Sequence, residues 1–265
     1  MFLGFWIFVF VLIFVEFLVE KPKLAHSKKH HLRVNFGFGL INSLMASSLP
    51  LSIVLSANWA LNQGIGLFNW IHLPIQLTII GTVLFYSLSQ YLFHRMVHSI
   101  PVFWSFHKVH HTDLSYGLST GFRFHPFELV ANIIFVSTIS IAFGFDVSTM
   151  LIYESLLLFF NMVLHTSLPI PKPLDQAFRI LLITPTLHRI HHSNDKQEYD
   201  SNFGIDFSFW DRLFNTYLSQ PTREQSEDYF GIKNYETRFA NSLDEQLRLP
   251  IRDWFGQTNS KTKGR

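Results

Sequence analysis

The sequence predicts an all-α integral membrane protein, a bundle of about four to five transmembrane helices that includes a hairpin, beneath a cytoplasmic histidine-rich helical cap. Three observations predict it. Of the 265 residues, 48% are hydrophobic, 29 are Phe and only 15% are charged, which is a membrane composition. No Asp, Glu, Lys or Arg occurs from Val34 to Phe93, a stretch far longer than the roughly 20 apolar residues that cross a bilayer once. The histidines gather in spaced clusters that follow apolar blocks.

The elements follow in order. Met1 to Val19 is almost purely apolar and lacks the basic start and small-residue cleavage site of a secretory signal, so it reads as a retained first span. Lys21, Lys23, Lys28, Lys29 and Arg33 then mark a short cytoplasmic loop by the positive-inside rule. A second span is expected from about Phe36 to Trp59, and a third from about Ile71 to Phe93, separated by a turn rich in Gly and Asn. The third span ends on the cytoplasmic side, where the first histidine pair begins. Leu129 to Leu168 is apolar again and breaks near Gly144 and Asp146, so it reads as a hairpin that returns to the side it left. From Ser193 onward the chain is charged and soluble in character, with one strand-like run from Phe203 to Trp210 and an unstructured end from Thr258 to Arg265.

Composition also excludes. A net charge of +2, with no massed basic arm, argues against nucleic acid. With no cysteine, the chain has no disulfide framework and no thiolate ligand, so any metal must sit on nitrogen and oxygen.

Three clusters carry the chemistry: His94-x3-His98, His107-x2-His110-His111 and His188-x2-His191-His192. On a helix, positions i, i+3 and i+4 share a face, so each cluster can aim two or three imidazoles at one spot. At this histidine frequency, two H-x-x-H-H triplets are rare by accident. A lone histidine on an apolar face is usually a core residue, but eight in three spaced clusters are a ligand set. His165, at the end of the returning hairpin, is the expected ninth ligand. Nine histidines exceed one closed zinc site and match two metals with four or five ligands each. Two adjacent metals with an open position favour a redox metal, hence two iron ions, with zinc the expected substitute in a purified sample.

Around this set, Asn161 sits one turn before His165 and reads either as a ligand, directly or through water, or as a packing or capping residue. His125 is either a tenth ligand or an imidazole behind the ligands oriented by Glu128. Asp113, Asp195, Asp211 and Glu128 are candidate acceptors that fix ligand tautomers, against the alternative of solvated surface or helix caps. Trp210 and Arg212 read as packing and a structural ion pair. His26, His30, His31 and His72 fit no cluster and are expected to be bystanders.

The clusters and their flanking words, Phe106-His-Lys-Val-His-His111, His125-Pro-Phe-Glu128, Thr184-Pro185, Asn202-Phe-Gly204, Phe209-Trp-Asp-Arg-Leu213 and Thr216-Tyr217, resemble the fatty acid hydroxylase and sterol desaturase superfamily of membrane di-iron enzymes. Asn202-Phe-Gly stands where that family more often shows Asn-Tyr-Gly, and some members have a histidine where Asn161 stands. The resemblance implies a transmembrane bundle capped by a cytoplasmic helical domain with the metals between them. It also implies dioxygen-dependent hydroxylation or desaturation of a lipid such as a fatty acyl chain, sterol or other isoprenoid. Domains are expected at 1–85, an amino-terminal transmembrane region; 86–217, a catalytic domain; and 218–265, a cytoplasmic tail. Without a fused cytochrome domain or an endoplasmic reticulum retrieval signal, a bacterial inner membrane is the expected location.

No flavin or dinucleotide fingerprint is present, so a separate donor of ferredoxin or cytochrome b5 type, with its reductase, is expected to dock on the cytoplasmic face. Lys108, Arg95 and Arg189 lie beside the ligands and are the candidate contacts. Two rival readings are a zinc-dependent membrane hydrolase or isomerase, which needs only one open zinc, and a non-enzymatic metal-binding membrane protein. A transport path would place its ionisable groups inside the spans, whereas these clusters sit at their ends.

Overall fold

The computed structural model describes residues 11–16, 18, 28–48, 52–225, 229–233, 235 and 237–261. Among them it is mostly helical, with no strand. In chain order the helices are α1 (Lys28–Ser48), α2 (Ile53–Asn62), α3 (Leu67–Ile71), α4 (Ile75–Ser99), α5 (Pro101–His111), α6 (Pro126–Phe143), α7 (Val147–Leu164), α8 (Lys172–Phe178), α9 (Pro185–His191), α10 (Lys196–Tyr199), α11 (Phe209–Leu213), α12 (Thr237–Ala240) and α13 (Leu243–Lys261). A 3-10 turn, Leu118–Phe122, lies between α5 and α6.

Among the described residues, three helices are long and apolar enough to cross a membrane: α4, α6 and α7. Many of their large apolar side chains, including Leu77, Ile80, Ile134, Leu151 and Ile152, face outward, as lipid-facing residues do. The first expected span lies mostly outside the described residues; 11–16 and 18 are helical. The basic linker and His26 also lie outside them, up to the start of α1.

The hairpin forms where expected. Gly144, at φ 69°, adopts the left-handed conformation that ends α6, and Asp146 caps α7 by accepting from the Thr149 N–H and hydroxyl. Gly66 packs so closely that a Cβ there would come 2.3 Å from the Gly144 nitrogen, which ties the 64–69 turn to the hairpin tip. Both helices of the hairpin return their other ends to the histidine side. Between them and α4 lies a core of Ile53, Phe68, Tyr86, Val136, Met150 and Tyr153, with Phe85 and Phe143 stacked at 4.3 Å.

Four expectations are corrected. The stretch from Phe36 to Trp59 is not one span: α1 ends at Ser48 and α2 begins at Ile53, and the sequence between holds Pro50, which lacks the N–H that an unbroken helix requires. The third span does not stop at Phe93, since α4 runs to Ser99 and carries His94 and His98 within it. The run from Phe203 to Trp210 is no strand; one isolated bridge, Leu182 to Phe207, precedes α11. Thr258 to Lys261 continue α13 rather than fraying, while 262–265 lie outside the described residues.

Arg123 joins the two ends of the fold. Its fully buried guanidinium donates to the carbonyls of Val109 and Ala240, to the Thr112 hydroxyl and to the Asn35 amide oxygen. α13 lies along α5, with Lys108 paired to Asp253 and Gln246 accepting from Thr112.

Candidate metal centre

The packing of the helices divides the histidines between two groups. His94, His98, His107, His111 and His191 form one, and His110, His165, His188 and His192 the other; within each, one ligand atom per residue lies within 4.8 Å of the rest. All nine are buried. In each H-x-x-H-H box the first and last histidines, one helical turn apart, serve one group, and the middle one serves the other. The boxes do this in opposite senses, His107 and His111 with His191, and His188 and His192 with His110. The groups therefore abut, with His111 and His192 stacked at 4.6 Å.

In the four-histidine group, His165 Nε2 lies 3.1 Å from His110 Nε2, 3.2 Å from His192 Nε2 and 3.1 Å from His188 Nε2, and His188 and His192 Nε2 are 3.2 Å apart. Each ring nitrogen either donates or accepts, so among the mutually close nitrogens of His165, His188 and His192 at least one pair sets like against like unless a cation lies among them. Four nitrogens bound tetrahedrally at about 2.0 Å would be about 3.3 Å apart, close to these separations. In the five-histidine group, His107 and His191 Nε2 and both ring nitrogens of His98 and His111 are buried without a hydrogen-bond partner among the described residues. One nitrogen of each imidazole faces the others, an arrangement that fits a metal ion, while His98 Nδ1 lies 3.4 Å from Asp200 Oδ1.

The other ring nitrogens fix the tautomers. His94 Nδ1 donates to the Phe203 carbonyl at 2.7 Å, His191 Nδ1 to the Ser201 carbonyl at 2.8 Å, and His165 Nδ1 to the Asn161 carbonyl at 2.6 Å. A carbonyl can only accept, so in each the Nε2 lone pair is left pointing into its group. His107 Nδ1 is held 2.6 Å from Glu128 Oε1. Burial first, and then the neighbouring imidazoles, hold His110, His111, His188 and His192 well below the usual histidine range; burial brings His165 down to about 4 and His191 to about 3. Neutral imidazole is the ligating form.

The flanking candidates fall out unevenly. Glu128 does stand behind a ligand, but behind His107 rather than His125. His125 caps α6, accepting from Phe127 N, and its Nε2 donates to the Leu247 carbonyl at 3.2 Å, so it is no tenth member. The Asn161 amide donates to the Gly121 carbonyl, while its own carbonyl holds His165. Asp211 accepts from the amides of Phe203 and Gly204 and so braces the loop that receives His94. Asp195 takes the helix-cap alternative: it is a partly exposed cap of α10, paired with Lys233. Asp113 binds Asn35 and Thr120 and lies 3.6 Å from His31, a buried residue of α1 rather than part of a loop. His30 and His72 are exposed. Among the described residues Arg212 forms no ion pair; it lies 3.8 Å over the Tyr217 ring and donates to the Arg179 carbonyl, while Trp210 donates to Ser87. Of the expected docking residues, Lys108 is taken by Asp253 and Arg189 donates to the Thr166 carbonyl; Arg95 is half-buried.

Sequence reasoning missed Tyr116, whose ring packs 4.9 Å from His192, and Glu16, a buried acceptor for Leu118 N and the Thr166 hydroxyl. Neither sits at a motif spacing. It also missed the Ser201 and Phe203 carbonyls, because any residue offers one.

A cavity of about 400 Å³ opens beside the centre. His94, His107, His110, His165 and His188 form its polar wall, and Phe93, Val97, Phe122, Leu129, Leu158 and Ile205 much of the rest.

Glu128 gives a direct test. Removing its carboxylate by Glu128→Ala should lower metal occupancy or turnover tenfold to a hundredfold, roughly the cost of losing a partner behind a ligating histidine, with Glu128→Gln less damaging because an amide oxygen still accepts. Metal titration of both variants checks this; an Ala variant that binds metal like the parent would detach Glu128 from the centre.

Three apolar helices and nine converging imidazoles define a membrane protein with a histidine-built candidate metal centre. Residues 79–216 match the fatty acid hydroxylase family, and the chain belongs to it. Among curated relatives, it is 31% identical to alkylglycerol monooxygenase of Caenorhabditis elegans over 163 residues, which is 61% of this chain and 31% of that protein. It is 28% identical to the Danio rerio alkylglycerol monooxygenase over 200 residues, 72% and 42% of the two chains. With ornithine lipid hydroxylase of Rhizobium tropici it shares 26% identity over 225 residues, 83% and 64%. The matched regions thus span less than two thirds of each of these relatives. No solved structure matches the chain.

Proposed function

We propose that the chain is a di-iron oxidoreductase that hydroxylates or desaturates a lipid substrate, a fatty acyl chain, sterol or other isoprenoid, with dioxygen. One observation carries the reading: histidine groups of five and four abut, and their imidazoles form one wall of an otherwise largely apolar cavity. Two iron ions held there would supply the activation of dioxygen needed to break an unactivated C–H bond. His94, His98, His107, His111 and His191 would hold one ion, and His110, His165, His188 and His192 the other. Glu128 and the carbonyls of Asn161, Ser201 and Phe203 keep the imidazoles in the ligating tautomer. Phe93, Val97, Leu129 and Leu158 receive the hydrocarbon and keep water from the reacting carbon. Nine histidines are more than a zinc hydrolase needs.

The basic linker from Lys21 to Arg33 supports a cytoplasmic position for the centre, and 86–217 would be the catalytic unit. Hydroxylation consumes electrons that this chain has no group to draw from NAD(P)H, so a ferredoxin or cytochrome b5 type donor with its reductase is part of the proposal.

Lipid extracts of cells with and without the protein, compared by mass, should show a lipid gaining one oxygen or losing two hydrogens. Identical extracts under conditions where the protein is made and loaded with iron would remove the reading. Purified protein should turn over only when reductase and carrier are both added, and full activity with NAD(P)H alone would refute the need for a donor.

A further inference from the structure

Glu154 is a carboxyl in the middle of α7, a helix otherwise apolar enough to cross a membrane. It is half-buried, and among the described residues it has no hydrogen-bond or ion-pair partner. An ionisable group in a span is costly, and its retention is a functional signal when it faces a cavity rather than lipid. Glu154 does face one. A second cavity, of about 320 Å³, shares Ala46, Gln90, Leu129, Asn132, Leu158 and Ile205 with the cavity at the histidines and continues it along α7.

The two cavities read as one path with polar stations at stepped depths. Gln90 lies one turn below His94 on α4, about 6 Å along the axis, and its side-chain oxygen accepts from the Asn132 amide of α6 at 3.0 Å. Glu154 lies eleven residues before His165, roughly 16 Å along α7. The walls between are chiefly aliphatic.

We propose that Glu154 is the polar anchor of the substrate path, binding a hydroxyl group on a lipid whose apolar body then reaches up to the histidines. This rests on the proposed reading of the upper cavity as the place of oxidation. A hydroxyl satisfies the carboxyl, since it can donate and accept, and it costs less to carry into the bilayer than a cation does. Anchor depth then sets which carbon meets the histidines, so Glu154 is a specificity-determining residue and takes no part in breaking the C–H bond.

Binding can test this without turnover. Purified full-length protein in detergent, kept anaerobic, is titrated with radiolabelled cetyl alcohol, and cetyl methyl ether and hexadecane are used as competitors. The native chain should prefer the alcohol to the ether, which cannot donate, by about tenfold to a hundredfold. Glu154→Leu should erase that preference while metal content stays at the native level, and Glu154→Gln should keep much of it. A native chain that does not discriminate, or a Leu variant that still does, would overturn the proposal. A native preference erased by Glu154→Leu, in a protein that never oxidises a lipid, would leave the anchor standing and remove only the oxidation.

Discussion

His110→Ala and His191→Ala should each lower turnover by more than about a hundredfold, beyond the cost of removing a mere partner of a ligand, while the protein still inserts and folds. The apolar contacts of α4, α6 and α7 do not involve either imidazole. The two variants should differ in metal content. His110 belongs to the group of four, so its loss leaves three imidazoles, whereas the loss of His191 leaves four. Metal should therefore fall further in His110→Ala than in His191→Ala. His72, exposed in the turn before α4, is the control, and His72→Ala should leave both readouts near the native level. If the control were as damaging as His191→Ala, the division between ligand and bystander histidines would be wrong.

The second large effect concerns folding. Arg123→Met should destabilise the protein by about 3 to 5 kcal/mol, the range for breaking a buried charged network by removing one partner. The variant leaves the carbonyls of Val109 and Ala240 without this donor and takes away a cation that favours the buried Asp113 carboxylate. Burial alone would raise the Asp113 carboxyl, but His31, whose ring nitrogen lies 3.6 Å away, and then the Arg123 guanidinium and the Asn35 amide hold it well below the usual carboxylate range. The sign follows: a carboxyl depressed in the folded state stabilises fully above its unfolded value of about 3.9, and that contribution is lost as pH falls below it. Thermal unfolding in detergent at neutral pH checks the substitution, and a loss under about 1 kcal/mol, no more than removing one ordinary hydrogen bond, would show that the network does not hold the two ends together.

How much of this the sequence carries depends on whether the information is local. The boxes are local: i, i+3 and i+4 spacing announces converging imidazoles, and the structure brings together all nine that the spacing and the hairpin end single out. The hairpin is local too, because Gly144 and Asp146 each specify a turn conformation by their own chemistry. Spacing cannot divide a box between two groups, since i+3 and i+4 neighbours share a face and only the partner helix decides between them. Glu128 reads equally well as serving His125, three residues away, or His107, and only the packing of α6 against α5 chooses the latter. Asp195 and Asp211 look alike beside the third box, yet one caps an exposed turn and the other is buried under Phe203 and Gly204. Arg123 carries no motif at all, and its four acceptors come from α1, α5 with the Thr112 that follows it, and α12.

The nine histidines are proposed to build two adjacent metal sites. Metal analysis of the purified full chain after iron loading, with X-ray absorption at the iron edge, tests this proposal most directly. Two ions per chain with only nitrogen and oxygen neighbours are expected, with a fall in content when His110 is replaced. A single four-coordinate ion per chain, or iron unaffected by that replacement, would contradict it.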